Sequence, residues 1–281
     1  SLPPIESKAN VVQNVSALRK RGLSAEMTSV VLLQQRLRTK AAGKFGEFAA
    51  RMFFTEDGLQ QATRLSVAAR HAARFRDAGV SHVADLGCGI GGDALALAGL
   101  GVRVTAADRD EVTAAIATYH LAPFDNAEVV HGDAETLDLT AFDALWFDPA
   151  RRSSSKRLSN PADWSPSLSW VFDVATRTPA GIKLSPAIDQ SILPADAECQ
   201  WIDDRGDTVE CVVWTGSLAR PGIRRSALVL GDGESHELVS ADEDSSVPLG
   251  AIGSFLYDPC GAVLRAQLLG KLARELDATL I

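Results

Sequence analysis

No stretch of this 281-residue chain holds the roughly 20 consecutive apolar residues that a membrane-spanning helix needs. The opening SLPPIESKAN has neither the basic region nor the apolar core of a secretory signal. A membrane span and export are therefore disfavoured, and a cytoplasmic location is expected. Cysteine is scarce: Cys88, Cys199, Cys211 and Cys260 stand in no CxxC or Cys/His spacing, which argues against a zinc site and fits reduced thiols. The histidines, His71, His82, His120, His131 and His236, are scattered, and only His131 lies near an expected strand end. Histidine-based acid–base catalysis has little support on that pattern. Internal repeats and long low-complexity segments are also missing.

What is present is an apolar share of 46%, enough to bury one large core with smaller satellites. The net charge of −8 hides a split: residues 1–80 sum to +7 and the remainder to −15. Such a basic end suits an anionic partner such as a nucleic acid, and it equally suits a solvated helical face.

From residue 11 to about 76 apolar residues recur at helical spacing, as in Val30, Leu33 and Leu37, then Phe45, Phe48 and Met52, which predicts a small helical module. Near Val83 the texture changes to short apolar runs alternating with helical segments: VADLG, GDALALAGLG, VRVTAAD, DEVTAAIATYHLA, AEVVHGD, FDALWFDP and AGIKLSP. That alternation predicts an α/β fold, a Rossmann-like, mostly parallel sheet covered on both faces. After Pro186 the runs ECQWIDD, DTVECVVWTG and RRSALVL are expected to pair antiparallel at the sheet edge. Residues 231–249 read as a linker or hairpin insertion. The tail offers one apolar stretch, GSFLY, and one amphipathic helix, AVLRAQLLGKLAREL, which either docks on the body or belongs to something longer. The expected division is a helical module over 1–62, the α/β domain over 63–231 and a C-terminal segment over 232–281.

The first chemical motif is Asp85-Leu-Gly87-Cys-Gly89-Ile-Gly91-Gly92-Asp93 between a strand and a helix. Gly87, Gly89 and Gly92 satisfy the dinucleotide fingerprint, so a nicotinamide cofactor has to be weighed. A carboxylate at Asp85 would be unhelpful beside a pyrophosphate, whereas a ligand carrying an ammonium and a sulfonium, as S-adenosylmethionine does, would welcome it. Asp108 ends the next strand, where a carboxylate accepts ribose hydroxyls in either ligand class, and Asp133 ends the third, where an acceptor can hold an adenine amino group. Each acid taken alone equally suits a helix N-cap.

VADLGCGIGGDALALA, the acid at Asp108, HGDAETL and FDALWFDPAR together resemble the ordered motifs of class I S-adenosylmethionine-dependent methyltransferases, over roughly residues 63 to 231. The upstream FFTEDGLQQATRLSVAARHAARF resembles the segment before the glycine turn of trimethylguanosine synthases, with Thr63 at its threonine. The whole chain is most similar to a bacterial family with a helical N-terminal module, a DPAR loop and a THUMP-like C-terminal domain, of which residues 232–281 would be a linker and the first part. The resemblance implies that Thr63, Asp85, Gly87, Cys88, Gly89, Gly91, Asp108, Arg109, Asp133 and Ala134 border S-adenosylmethionine.

It also implies that the segment after the fourth strand is catalytic, because N-methyltransferases carry an Asn/Asp-Pro-Pro-aromatic segment there. An exocyclic amine on a base delocalises its lone pair into the ring, so the site must turn that lone pair toward the methyl group. Asp148 and the Pro149 carbonyl can each accept one N–H and would turn it that way. Ala150 replaces the second proline, and Arg151 replaces the aromatic ring, where it would stack on a base or hold a phosphate. Trp164, Trp170 or Phe54 are the rings that could stand in. Arg152, Lys156 and Arg157 follow and suit a phosphodiester backbone, as the basic N-terminal helices do. The leading expectation is an RNA N-methyltransferase. A non-catalytic cofactor-binding module on RNA is the alternative, and a nicotinamide-dependent oxidoreductase ranks third. Neither a metal nor a membrane enters any of them.

Overall fold

The computed structural model describes residues 8–149, 152–153, 156–157 and 164–281, so Ala150 and Arg151 lie outside the described residues. The N-terminal module is helical: α1 (Lys8–Lys20), α2 (Ala25–Phe45), α3 (Glu56–Gln61) and α4 (Leu65–Asp77). Short polar residues start α2 and α3. The Ser24 hydroxyl accepts from the Met27 N–H at 3.1 Å and the Thr55 hydroxyl from the Gly58 N–H at 2.9 Å, each satisfying an otherwise unpaired first-turn donor. The apolar pattern of α2 is only half used. Leu37 and Phe45 are buried in a cluster with Phe54, Leu59 and Ile90, but Val30 and Leu33 face solvent, as does Phe48 in the 3-10 turn that follows. Only the second half of α2 reaches this cluster.

The strands are β1 (His82–Leu86), β2 (Arg103–Asp108), β3 (Ala127–His131), β4 (Ala144–Phe147), β5 (Arg152–Ser153), β6 (Lys156–Arg157), β7 (Ala180–Leu184), β8 (Glu198–Asp204), β9 (Asp207–Trp214), β10 (Arg225–Leu230) and β11 (Ser235–Ser240). Nine of them form one sheet in the order β11-β10-β8-β9-β7-β4-β1-β2-β3. β1, β2, β3, β4 and β7 run parallel. β9 runs antiparallel to β7 and to β8. The antiparallel pairing expected after Pro186 is present, but β9 lies inside the sheet. β8 and β10 continue beyond it in parallel, and β11 closes the edge as a hairpin with β10. The 231–249 segment thus contains a hairpin strand.

Alternation along the strands feeds two cores. Val83, Ala144 and Trp146 face one, with α4, α5 (Gly92–Gly99) and α6 (Glu111–Leu121). Ala84, Leu86, Leu145 and Phe147 face the other, with α7 (Leu168–Ala175) and α8 (Gly261–Arg265). The single tail helix expected near the end is two, α8 and α9 (Leu269–Glu275), because Gln267 between them takes a left-handed backbone (φ 58°). Ala262 and Val263 of α8 dock into the core, while Phe255 and Leu256 just before it stay exposed.

β1 pairs with β2 on one side and β4 on the other, so the chain winds outward both ways from this point. Loops leaving adjacent carboxyl ends there part company and open a crevice, the usual ligand position in open α/β sheets. Behind it, β7 passes under two indoles at Gly181. A methyl group added at this position would fall 2.6 Å from the Trp214 ring and 2.7 Å from Trp146. Gly181→Ala is therefore expected to destabilise the protein by roughly 1–3 kcal/mol, as overpacked cores do. Denaturant unfolding is the measurement, and an unchanged midpoint would show that these rings yield freely.

Candidate active site

Loops from β1, β2, β3 and β4 surround a cavity of about 460 Å³, within the roughly 300–1,000 Å³ usual for small-molecule sites. Its floor is the glycine turn. Gly87, Gly89 and Gly91 take φ of 82°, 55° and 83°, a region other residues rarely adopt. The Gly87 and Cys88 N–H groups both donate to the Ala107 carbonyl, at 2.9 and 3.0 Å, tying the turn to β2. A Cβ on Gly87 would come within 3.0 Å of the Asp148 carbonyl oxygen.

Thr63, Gly87, Cys88, Gly89, Asp108, Arg109, Asp133, Ala134 and Asp148 all line this cavity. Asp108 accepts from the Gly89 N–H at 3.0 Å with one oxygen and from the Asp110 N–H at 2.9 Å with the other. Burial pushes its carboxyl above the ordinary range. Asp133 accepts from the Glu135 N–H at 3.0 Å, so the cap role and the cavity position coincide in it. Arg109 donates to the Ser165 hydroxyl at 2.8 Å, which brings Ser165 and Pro166 into the wall. His131 is exposed, with Nε2 3.1 Å from the Arg109 carbonyl.

Asp85, Gly91, Trp164, Phe54 and Trp170 are not among the residues lining this cavity. Gly91 is the N-cap of α5 and abuts Ala117, so it shapes the turn. Trp164 is buried in the core beside Leu168 and is not presented for stacking. Phe54 and Trp170 pack likewise, Phe54 on Phe45 and Trp170 edge-on to Phe147. Arg152, Lys156 and Arg157 belong to β5 and β6, whose backbones pair antiparallel directly after the Asp148-Pro149 lip.

Asp85 lies under the turn, 1% exposed, and neither of its carboxylate oxygens has a hydrogen-bond partner among the described residues. Burial, and then Asp93 and Asp148 nearby, push its pKa well above the usual carboxylate range. A buried carboxylate left unpaired is costly and is relieved by a cation.

A second cavity of about 380 Å³ shares Gln61, Ala62, Thr63 and Asp148 with the first and adds Lys44, Arg64, Pro149, Lys183, Val209 and Glu210. Polar groups that sequence reading missed join the two. Lys183 Nζ donates to Asp148 Oδ2 at 2.6 Å and to Thr63 Oγ1 at 2.9 Å. Thr63 donates to Asp93 Oδ2 at 2.6 Å. His71 Nδ1 lies 2.8 Å from Asp93 Oδ1, and its Nε2 forms an ion-pair contact with Glu210 at 2.6 Å. The available signal was a lysine inside the otherwise apolar run AGIKL and a histidine among the small apolar residues of α4.

Residues 83–153 match the family model of a methyltransferase domain. Two curated proteins, one from each of two Mycobacterium tuberculosis strains and both described as uncharacterized S-adenosylmethionine-dependent methyltransferases, are 36% identical over 242 residues. The match covers 83% of this chain and 66% of each relative, so the chain spans about two thirds of their length. This chain belongs to the class I S-adenosylmethionine-dependent methyltransferases. A crystal structure of a candidate methyltransferase from Porphyromonas gingivalis shares the fold, with a TM-score of 0.67 at 21% identity over 90% of this chain and 68% of that one.

S-adenosylmethionine is the methyl donor of the family, and the residues present fit it: beneath the glycine turn that floors the cavity, the Asp85 carboxyl has no partner among the described residues, and an ammonium or sulfonium above it would favour its ionised form. Among the described residues no cluster suited to a metal ion occurs, and no helix is long and apolar enough to cross a membrane.

Burial disfavours a charged His71, but Glu210 and Asp93 outweigh it and hold the imidazole up at about 9. A raised folded-state value means the stabilisation is complete below the unfolded value of about 6.5 and is lost as pH climbs through about 9. Melting temperature should therefore fall between these limits in the wild type and change less in His71→Gln. An imidazole NMR midpoint at or below about 6.5 would show that His71 is neutral.

Proposed function

We propose that this methyltransferase acts on an exocyclic amino nitrogen of a base in RNA, with Asp148 and Pro149 as the acceptor pair. The observation that carries the reading is the position of Asp148. It belongs to the walls of both cavities and so stands between the place for the methyl donor and a second space next to it. The donor, when bound, supplies a methyl group made electrophilic by its sulfonium. Asp85, Gly87, Cys88, Gly89 and Asp108 are assigned to hold it, with Thr63, Arg109, Asp133 and Ala134 around it and Gly91 setting the turn.

Asp148 is part-exposed, with 32% of its side chain accessible, so an amine entering the second cavity can reach it. Burial raises its carboxyl above the ordinary range, and Lys183 draws it part of the way back. Pro149 offers a carbonyl with no competing N–H and a fixed φ. Two acceptors set at an angle hold both N–H bonds of an amine, aim its lone pair, and stabilise the positive charge that grows on nitrogen.

The phosphate contacts are assigned to Arg152, Lys156 and Arg157, which follow the acceptor pair in the chain, and to Arg151. Part of the N-terminal positive charge has work inside the fold. Arg64 bonds Asp204 and Asp207, Arg74 bonds Glu198, and Lys44 donates to the carbonyls of Leu59, Gln60 and Ala62. The β5–β6 segment is therefore the better site for an anionic backbone.

Incubation with labelled S-adenosylmethionine and total RNA from a strain lacking the protein, followed by nucleoside mass analysis, should reveal one amino-methylated nucleoside. Label entering only protein or small molecules would overturn the RNA assignment. Asp148→Ala should lower transfer roughly 100-fold or more, the scale of losing a transition-state acceptor. Calorimetric affinity for S-adenosylmethionine should stay within about threefold, because the lost contact serves the transition state rather than the ground state. Equal loss of binding and turnover would remove Asp148 from the acceptor role.

A further inference from the structure

Lys183 enters the second cavity from β7, next to β4 and the Asp148 that follows it. Only 13% of its side chain is exposed, and it is held from two sides. Its bond to Asp148 Oδ2 is matched by one to Thr63 Oγ1. The hydroxyl of Thr63 has a single proton and gives it to Asp93 Oδ2, so a lone pair is what it turns to Lys183. Asp93 is fixed in turn by His71, which reaches on to Glu210. Donation runs from Lys183 to Thr63 and from Thr63 to Asp93. The ammonium is thus anchored independently of Asp148.

We propose that Lys183 is a positioning residue for the transfer: pinned by Thr63, it occupies Asp148 Oδ2 and leaves Oδ1 as the oxygen open to an uncharged nitrogen nucleophile. This rests on the reading of Asp148 as the acceptor. A carboxylate with both oxygens open could take both N–H bonds of an amine itself. With Oδ2 taken, the second N–H must turn to the Pro149 carbonyl, which defines the plane of the incoming amino group. A fixed ammonium beside the acceptor also repels an alkylammonium, so the cavity favours amines that are uncharged at neutral pH, as those on bases are.

The charged groups around Asp148 are Lys183 from β7, Asp93 from α5, Glu210 from β9, Asp85 from β1 and Lys44 from α2. Lys183 is the cation bonded to it. Without that ammonium, burial and the neighbouring carboxylates all favour the protonated acid.

The test compares Lys183→Met and Lys183→Arg in the full chain by three readings. These are the pH profile of kcat and KM on RNA, calorimetric affinity for S-adenosylmethionine, and the substrate-free ¹³C NMR titration of the Asp148 carboxyl, assigned by its loss in Asp148→Asn. In Lys183→Met, kcat should drop at least about tenfold at neutral pH with a smaller change in KM. The acid limb and the Asp148 midpoint should both rise by about one unit or more. Lys183→Arg should restore the midpoint and most of the rate. An unmoved Asp148 midpoint in Lys183→Met overturns the proposal, and so does loss of donor binding in step with the rate. Should Lys183→Met fail to fold, Lys183→Arg decides alone, and a displaced acid limb in it overturns the proposal. If the wild type methylates no RNA, the substrate reading fails, while the NMR midpoints still judge Lys183.

Discussion

Negative charge is concentrated under the carboxyl edge of this sheet, and the site depends on how it is held. Asp85, Asp93, Asp148 and Glu210 repel one another across a poorly solvated space, and Lys183 and His71 are threaded between them. Asp93 bonds both Thr63 and His71 and is held below the ordinary carboxylate range against its burial. Asp85 has no such partner among the described residues, and burial favours its protonated form. The sheet places these groups, but their mutual compensation decides which stay ionised.

The α/β class, the strand-end acids and the glycine turn were legible in the sequence because each rests on local spacing. β1 and β4 read correctly because buried parallel strands are almost continuously apolar, as VADL and ALWF are. The expected lining residues Thr63, Asp108, Asp133 and Asp148 meet at one cavity for the same reason: each lies on or close to the carboxyl edge. What could not be read were pairings between distant segments. Lys183 and Asp148 are 35 positions apart and Thr63 is 120 from Lys183, so no periodicity connects them. The tail helix failed for a different reason. Its apolar pattern is helical throughout, and the break at Gln267 is set by docking, with Gly270 lying against the backbone of Ser246 and Asp244.

The helical module is part of the site rather than an attachment to it. Thr55, Gly58 and Gln61 wall the first cavity, and Lys44, Gln60 and Gln61 wall the second. Lys44 donates to the carbonyls of Leu59 and Gln60 in the last turn of α3 and of Ala62 just after it. Burial, with Lys183 and Arg64 close by, brings its ammonium down to about 8. The loop that borders both cavities is thus clamped by one side chain from α2, which explains why the buried half of that helix is the half near the sheet.

Gly87 lies so near the Asp148 carbonyl that no side chain fits between the glycine turn and the Asp148 lip. The Asp148 N–H also donates to the Leu86 carbonyl at 3.3 Å, so backbone alone joins the two, and any change that moves the lip inward meets the turn beneath it.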